Sequence, residues 1–321
     1  MDQKPNDKSK TTMASQETTY HTPVMLQESV DALDIRPDGT YVDVTFGGGG
    51  HSREILRRLG PEGRLIAFDQ DPDALGNMPD DDRFSLVHHN FCHIADFVDY
   101  IVGGPVDGVL GDLGVSSHHF DEGDRGFSFK QDGPLDMRMG RDRNQTTAAD
   151  YVAKASAEEL AHIFGMWGEV DKPFRVANAI VKARESAPIG TTAHLREVVE
   201  SVAARGEAPK LLTKVFQALR IEVNHEMSAL EAMLKGCIRV IKPGGRMVMI
   251  AYHSLEDRMV KNIMKSGDPM VAQPEQDAIY GTVKTPFSTK QRKPQTPSDE
   301  EVERNPRARS AKMRWAVRSK N

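Results

Sequence analysis

The sequence predicts a doubly wound α/β fold interrupted by an all-helical insertion, on three observations. Short apolar runs alternate with helical patterns as β-α-β-α-β-α-β between Tyr41 and Asp112. Helical patterns alone fill the stretch from Thr147 to Ala204. Four consecutive glycines, Gly47 to Gly50, join the first strand pattern to the helix pattern that follows. In that geometry a backbone passes very close to a bound ligand.

Ordered structure is expected from about His21, after a polar tail over residues 1–20 that contains both charge signs and no apolar h-region. Residues 24–33 place Leu26, Val30 and Leu33 on one helical face. Tyr41, Val42 and Val44 read as a strand, and Glu54, Ile55, Leu56 and Leu59 resume at helical spacing after the glycines. Leu65 to Phe68 is the continuous apolar run of a strand buried on both faces, and Pro72 suits the first turn of a helix after it. Phe84 to His89 and Val106 to Asp112 supply two more strands, with a helix over 94–102 between them.

From Leu113 to Gly140, glycines, serines and Pro134 make a long irregular stretch, a kind of loop that is more often functional than incidental. Helices then follow over 147–155, 156–167, 172–185 and 192–204, with Thr147, Ser156 and Thr192 as N-caps. Thr213 to Gly236 reads as one long amphipathic helix, and Arg239 to Gly245 as a turn. Arg246 to Tyr252 is another buried strand, followed by loop and helix from His253 to Lys265. Residues 266–300 carry five prolines and few apolar residues and read as loop, and Met313 to Val317 as a last strand.

The formal net charge is −5, so any grip on nucleic acid must come from a local basic patch. Arg138, Arg141 and Arg143 form one such patch, and the acid-free run from Asn305, with Arg307 and Arg309, forms another. Cys92 and Cys237 are far apart and fit no zinc spacing; a reducing cytoplasm and no metal are expected. No apolar run approaches the ~20 residues that a membrane span requires, so no membrane partner is expected.

Asp69 closes the second strand, 26 residues after Asp43, where an acid commonly accepts hydrogen bonds from ribose hydroxyls. Both dinucleotides and S-adenosylmethionine fit that pairing of glycine turn and acid. The order Asp43-x-x-x-Gly47-x-Gly49 differs from the Gly-x-Gly-x-x-Gly dinucleotide pattern. A carboxylate beside the turn would repel a pyrophosphate and suit a cationic amino-acid moiety, which favours the methyl donor. Asp112 closes the fourth strand, where such enzymes place acceptor chemistry. Phe91, beyond the third strand, is open to two roles: stacking on adenine, or plain core packing.

Several segments together resemble the bacterial RsmH (MraW) family. They are His21 to Val24, Thr45 to Ser52, Asp112 to Ser117, Arg125 to Phe129, Asp132 to Met139, Phe216 to Asn224, His253 to Arg258 and Asn305 to Ser310. The resemblance implies a Rossmann-like class I methyltransferase sheet with an inserted all-helical domain. It implies S-adenosylmethionine as methyl donor, and as acceptor the N4 amine of a cytidine in the decoding region of 16S ribosomal RNA. By motif position, the family's cofactor contacts fall on Gly49, Gly50, His51, Asp69, Phe91 and Asp112. A further contact, usually a glutamine, falls on His119. The expected division is a tail over 1–20, a methyltransferase domain over 21–140 and 213–321 (flexible over 266–304), and a helical substrate-recognition domain over 141–212.

Cytosine N4 is a poor nucleophile, so the protein must align the amine and offer it a polar acceptor. Asp112 is the first candidate, although Asp112-Leu113-Gly114-Val115 lacks the paired prolines and aromatic that hold the base in other amino N4-methyltransferases. His253, at another strand end, is the candidate for contacting the base or relaying its proton, or else an ordinary loop histidine. Glu256 and Asp257 read as residues that order the next helix. Gln217, Arg220 and Asn224 share one helical face and suggest a substrate wall, a solvated face being the alternative. The competing functions are a methyltransferase for another RNA base or a small molecule, a nicotinamide oxidoreductase, and a catalytically dead RNA-binding module. Naked RNA and the assembled small subunit are both open as substrates, as is the oligomeric state, a homodimer included.

Overall fold

The computed structural model describes residues 23–114, 123–140, 145–273 and 285–320. One mixed sheet organises it, in the order β3-β2-β1-β4-β5-β7-β6. β1 (Thr40–Asp43) lies between β2 (Arg64–Asp69) and β4 (Val106–Asp112), all parallel. β3 (Phe84–His88) flanks β2, and β5 (Ile241–Ala251) flanks β4 in the same direction. β7 (Lys312–Arg318) inserts antiparallel between β5 and the short β6 (Phe287–Ser288). This is the expected Rossmann-like class I methyltransferase sheet. Its order reverses between β1 and β4, and in open α/β sheets ligands bind at the strands' carboxyl ends beside such a switch point.

Strand side chains alternate between two apolar layers. Tyr41, Leu65, Leu110, Val248 and Ile250 face one core, covered by α1 (Leu26–Leu33) and α2 (Gly50–Arg58). Val42, Ile66, Val109, Met247 and Met249 face the other, covered by α3 (Ile94–Val102), α9 (Glu226–Val240) and α10 (Ser254–Ser266). A third, separate core lies among α4 (Ala148–Lys154), α5 (Ala157–Met166), α6 (Pro173–Ser186), α7 (Thr192–Val202) and α8 (Ala208–Asn224). Phe127, Leu135 and Met137, from the long loop after β4, pack into this helical core. Among the described residues no helix is long and apolar enough to cross a membrane.

Several sequence expectations change. The single helix expected from Thr213 to Gly236 is broken at His225, whose φ of 51° is left-handed. There α8 ends as its last side chain, Asn224, turns to the loop after β4: it accepts from the Met139 N–H at 2.8 Å and donates to the Met137 carbonyl at 2.7 Å. The helix after it runs on to Val240 and passes straight into β5, so the expected turn over 239–245 is a helix end and a strand start, with Gly244 at φ 86°. Thr191, not Thr192, caps α7; Thr192 is buried and donates to the Gln131 carbonyl at 2.8 Å. Pro72 opens a 3₁₀ turn, Pro72–Asn77, not an α-helix. Within the stretch read as loop lie β6 and α11 (Asp299–Arg304).

Asn224 also donates to the Arg220 carbonyl at 2.9 Å and is 7% exposed. Asn224→Ala would strand a buried N–H and a buried C=O, at a cost of about 2–3 kcal/mol. Urea unfolding should show that loss; a change below about 0.5 kcal/mol would remove Asn224 as the tie between α8 and the loop.

Candidate functional site

The glycine turn rests on a buried carboxylate. Asp43, at the end of β1, has no exposed surface, and burial raises its pKa. One oxygen accepts from the Ser52 hydroxyl at 2.7 Å, the other from the Thr45 N–H at 3.0 Å. It therefore ties the strand end to the first turn of α2 from beneath, and does not face a ligand as its position in the sequence suggested. Gly47 and Gly49 take φ of 51° and 74°. A Cβ on Gly49 would stand 2.9 Å from the Phe46 ring, and one on Gly50 would run into the Pro23 ring. Glycine is needed at Gly49 for packing and backbone shape, and at Gly50 for packing.

Two further carboxylates stand at neighbouring strand ends. Asp69, closing β2, accepts from the Gly47 N–H at 2.7 Å and the Asp71 N–H at 2.8 Å, so the acid and the turn are hydrogen-bonded to each other. Asp112, closing β4, donates its N–H to the Thr45 hydroxyl at 2.7 Å. Its Oδ1 accepts from the Tyr252 hydroxyl at 2.7 Å, and its Oδ2 lies 3.9 Å from His51 Nδ1. Burial pushes the Asp112 carboxyl up to about 6. His51 is 5% exposed, and burial lowers its pKa. Its Nε2 lies 3.2 Å from the Val24 carbonyl, which can only accept, so Nε2 carries the proton and Nδ1 faces Asp112 bare.

Gly49, Gly50, His51, Asp69 and Asp112 thus share the carboxyl edge of β1, β2 and β4. Phe91 opens the 3₁₀ turn Phe91–His93 past β3 on that edge, part-buried against the sheet core. His119 lies outside the described residues, as do Arg141 and Arg143.

The second candidate, His253, is the N-cap of α10 and forms a capping box with Glu256. Glu256 accepts from the Tyr252 N–H at 2.8 Å, and its other oxygen lies 3.1 Å from His253 Nε2. Glu256 therefore has the helix-ordering role expected of it, whereas Asp257 pairs with Arg314 of β7 at 2.6 Å. Gln217, Arg220 and Asn224 are all engaged within the protein. Gln217 donates to the Trp167 carbonyl at 2.9 Å, and Arg220 holds Glu226 through two bonds of 2.7 and 2.8 Å. As placed, the row braces α8 against its neighbours. Arg307 and Arg309 stand exposed on the turn Pro306–Ser310.

Donor atoms of Glu226, His253 and Glu256 lie within 4.8 Å of one another. The N-termini of α9 and α10 meet here, and Arg220 already grips Glu226. Those positive ends account for both carboxylates without a metal ion. Burial pushes both thiols, Cys92 and Cys237, above their usual range, which leaves little thiolate for nucleophilic attack.

Two residues escaped sequence reasoning. Tyr252 was read only as the end of a strand. Arg125 is 4% exposed and pairs with Asp71 and Asp73, each at 3.1 Å, while donating to the carbonyls of Arg138 and Met139. An arginine inside a glycine-rich loop gives no local sign of such burial.

A model of the MraW methylase family matches residues 18–319. The chain is 55% identical over 305 residues to the ribosomal RNA small subunit methyltransferase H of Parabacteroides distasonis, covering 95% of this chain and 99% of that protein. It is 54% identical over 304 residues to the protein of the same name from Bacteroides fragilis, again covering 95% and 99%. With a family match running nearly from end to end and relatives that share more than half of its residues, the chain belongs to the MraW methylase family.

Proposed function

We propose that the protein transfers a methyl group from S-adenosylmethionine to the N4 amine of a cytidine in the decoding region of 16S ribosomal RNA. The observation that carries the RNA assignment is the 55% identity, over 95% of the chain, to a ribosomal RNA small subunit methyltransferase. The donor set fits the cofactor. Asp69 and Asp112 flank a turn built for close approach, with Asp43 bracing it from beneath, which suits a ligand bearing a sulfonium, an ammonium and ribose hydroxyls. When bound, the cofactor supplies an electrophilic methyl group activated by its own positive sulfur.

The remaining work belongs to the chain's own residues. Gly49 and Gly50 admit the ligand against the backbone, and Asp69 accepts from the ribose hydroxyls. Phe91 stacks on the adenine, and His51 holds the turn to Val24. The amine gains a carbon bond and must lose one proton. A carboxylate with a pKa of about 6 takes that proton more readily than an ordinary aspartate, which favours Asp112 as acceptor. His253, locked by Glu256, stands one strand farther along the same edge and serves to orient the base. Two protonated, buried or half-buried cysteines speak against the covalent thiol chemistry that C5 methylation uses. The helical domain over 141–212 reads the RNA, with Arg307 and Arg309 contacting phosphates.

Asp69→Ala should weaken S-adenosylmethionine binding about 10–100-fold by calorimetry, the loss of hydrogen bonds to a charged group; undiminished binding would sink the ribose assignment. Small ribosomal subunits lacking the modification should take one labelled methyl group, recovered as N4-methylcytidine by mass spectrometry of the nucleosides. Label on C5, or none on the RNA, overturns the proposal. Replacing Arg307 and Arg309 together by alanine should raise KM for the subunit with kcat nearly unchanged, and flatten its salt dependence by roughly one to two log units per log unit of salt.

A further inference from the structure

The carboxylate of Asp112 stands in surroundings that work against its charge. It is drawn out of water at the end of β4, with Asp43 of β1 and Glu256 of α10 both adding negative potential. His51, from α2, offers the carboxylate no donor: it turns an unprotonated nitrogen toward Oδ2 at 3.9 Å. The fourth neighbour is Tyr252, past the end of β5, which donates its hydroxyl to Oδ1 at 2.7 Å.

Tyr252 is itself held at three points. Its N–H donates to Glu256 Oε2 at 2.8 Å. Its ring packs over Gly114, where a Cβ would stand 3.0 Å from Cδ2 and where φ is 108°. Its hydroxyl is pushed well above the ordinary tyrosine range by burial and by the Asp112 charge, so it stays a donor at every physiological pH.

We propose that Tyr252 is a positioning residue: its hydroxyl bond keeps Asp112 ionised, so that cofactor affinity persists into mildly acidic solution. This rests on the reading that ionised Asp112 serves cofactor binding.

The sign follows from the bond. A hydrogen bond to the charged form favours that form, so its removal moves the Asp112 titration upward. Tyr252→Phe keeps the ring on Gly114 and deletes only the donor. In the wild-type protein, affinity for S-adenosylmethionine should fall as pH drops through about 6. In Tyr252→Phe that acid limb should shift up by about one pH unit, leaving binding several-fold weaker near pH 6 and unchanged near pH 8.5. A carbon-13 carboxyl titration of the ligand-free protein, with the Asp112 signal identified through Asp112→Asn, should show the same upward shift. A loss of affinity equal at every pH, or an acid limb and carboxyl titration that do not move, overturns the proposal while leaving Asp112 in the site. A wild-type protein with no acid limb, or Asp112→Asn binding as well as wild type, overturns the underlying reading instead.

Discussion

The buried carboxylate of Asp43 is the constraint on which the rest of the site depends. An ionisable group without access to water is costly unless its oxygens are matched by donors. Ser52 and Thr45 supply them, which fixes both where α2 begins and how the chain leaves β1. Thr45 then accepts the N–H of Asp112, Asp112 accepts from Tyr252, and the Tyr252 N–H goes to Glu256. One hydrogen-bonded line crosses the carboxyl ends of β1, β4 and β5 and ends on the cap of α10. In low dielectric such a line is stiff, because each link left unmatched would carry a desolvation penalty.

A second set of ties joins the helical layer to the sheet. The segment from Met137 to Met139 is gripped by Asn224 from α8 and by Arg125 from its own loop, and Arg125 also holds Asp71 and Asp73 just past Asp69. The acid assigned to ribose and the layer assigned to RNA are thus three side chains apart.

Much of this was legible in the sequence, for identifiable reasons. The middle of β2, Leu65 to Phe68, was legible because a strand buried on both faces announces itself as unbroken apolar character. Thr147 and Ser156 were recognised as caps because each is followed at the third position by an acid. The break at His225 was invisible because neither glycine nor proline marks it; the left-handed turn is imposed by what Asn224 binds across the fold. Asp43 was placed correctly on a strand end but given the wrong direction, since its partners, Ser52 and Thr45, are defined only once the turn has closed. The aligned row of Gln217, Arg220 and Asn224 was a true helical face, but spacing does not tell whether a face meets solvent, substrate or another part of the chain.

The cap over the glycine turn has a consequence for the order of events during synthesis. Pro23 presses on Gly50, Val24 receives the His51 proton, and the Met25 N–H is held by Glu301, 276 residues away along the chain. A nascent chain has all the glycines and acids of the site in hand early, yet the strap across them has no anchor until Glu301 emerges. β7 likewise pairs with β5, and β6 joins the sheet through β7 alone. Closure of such distant contacts comes late in folding. The cap over the glycine turn therefore closes only once the segment around Glu301 is in place.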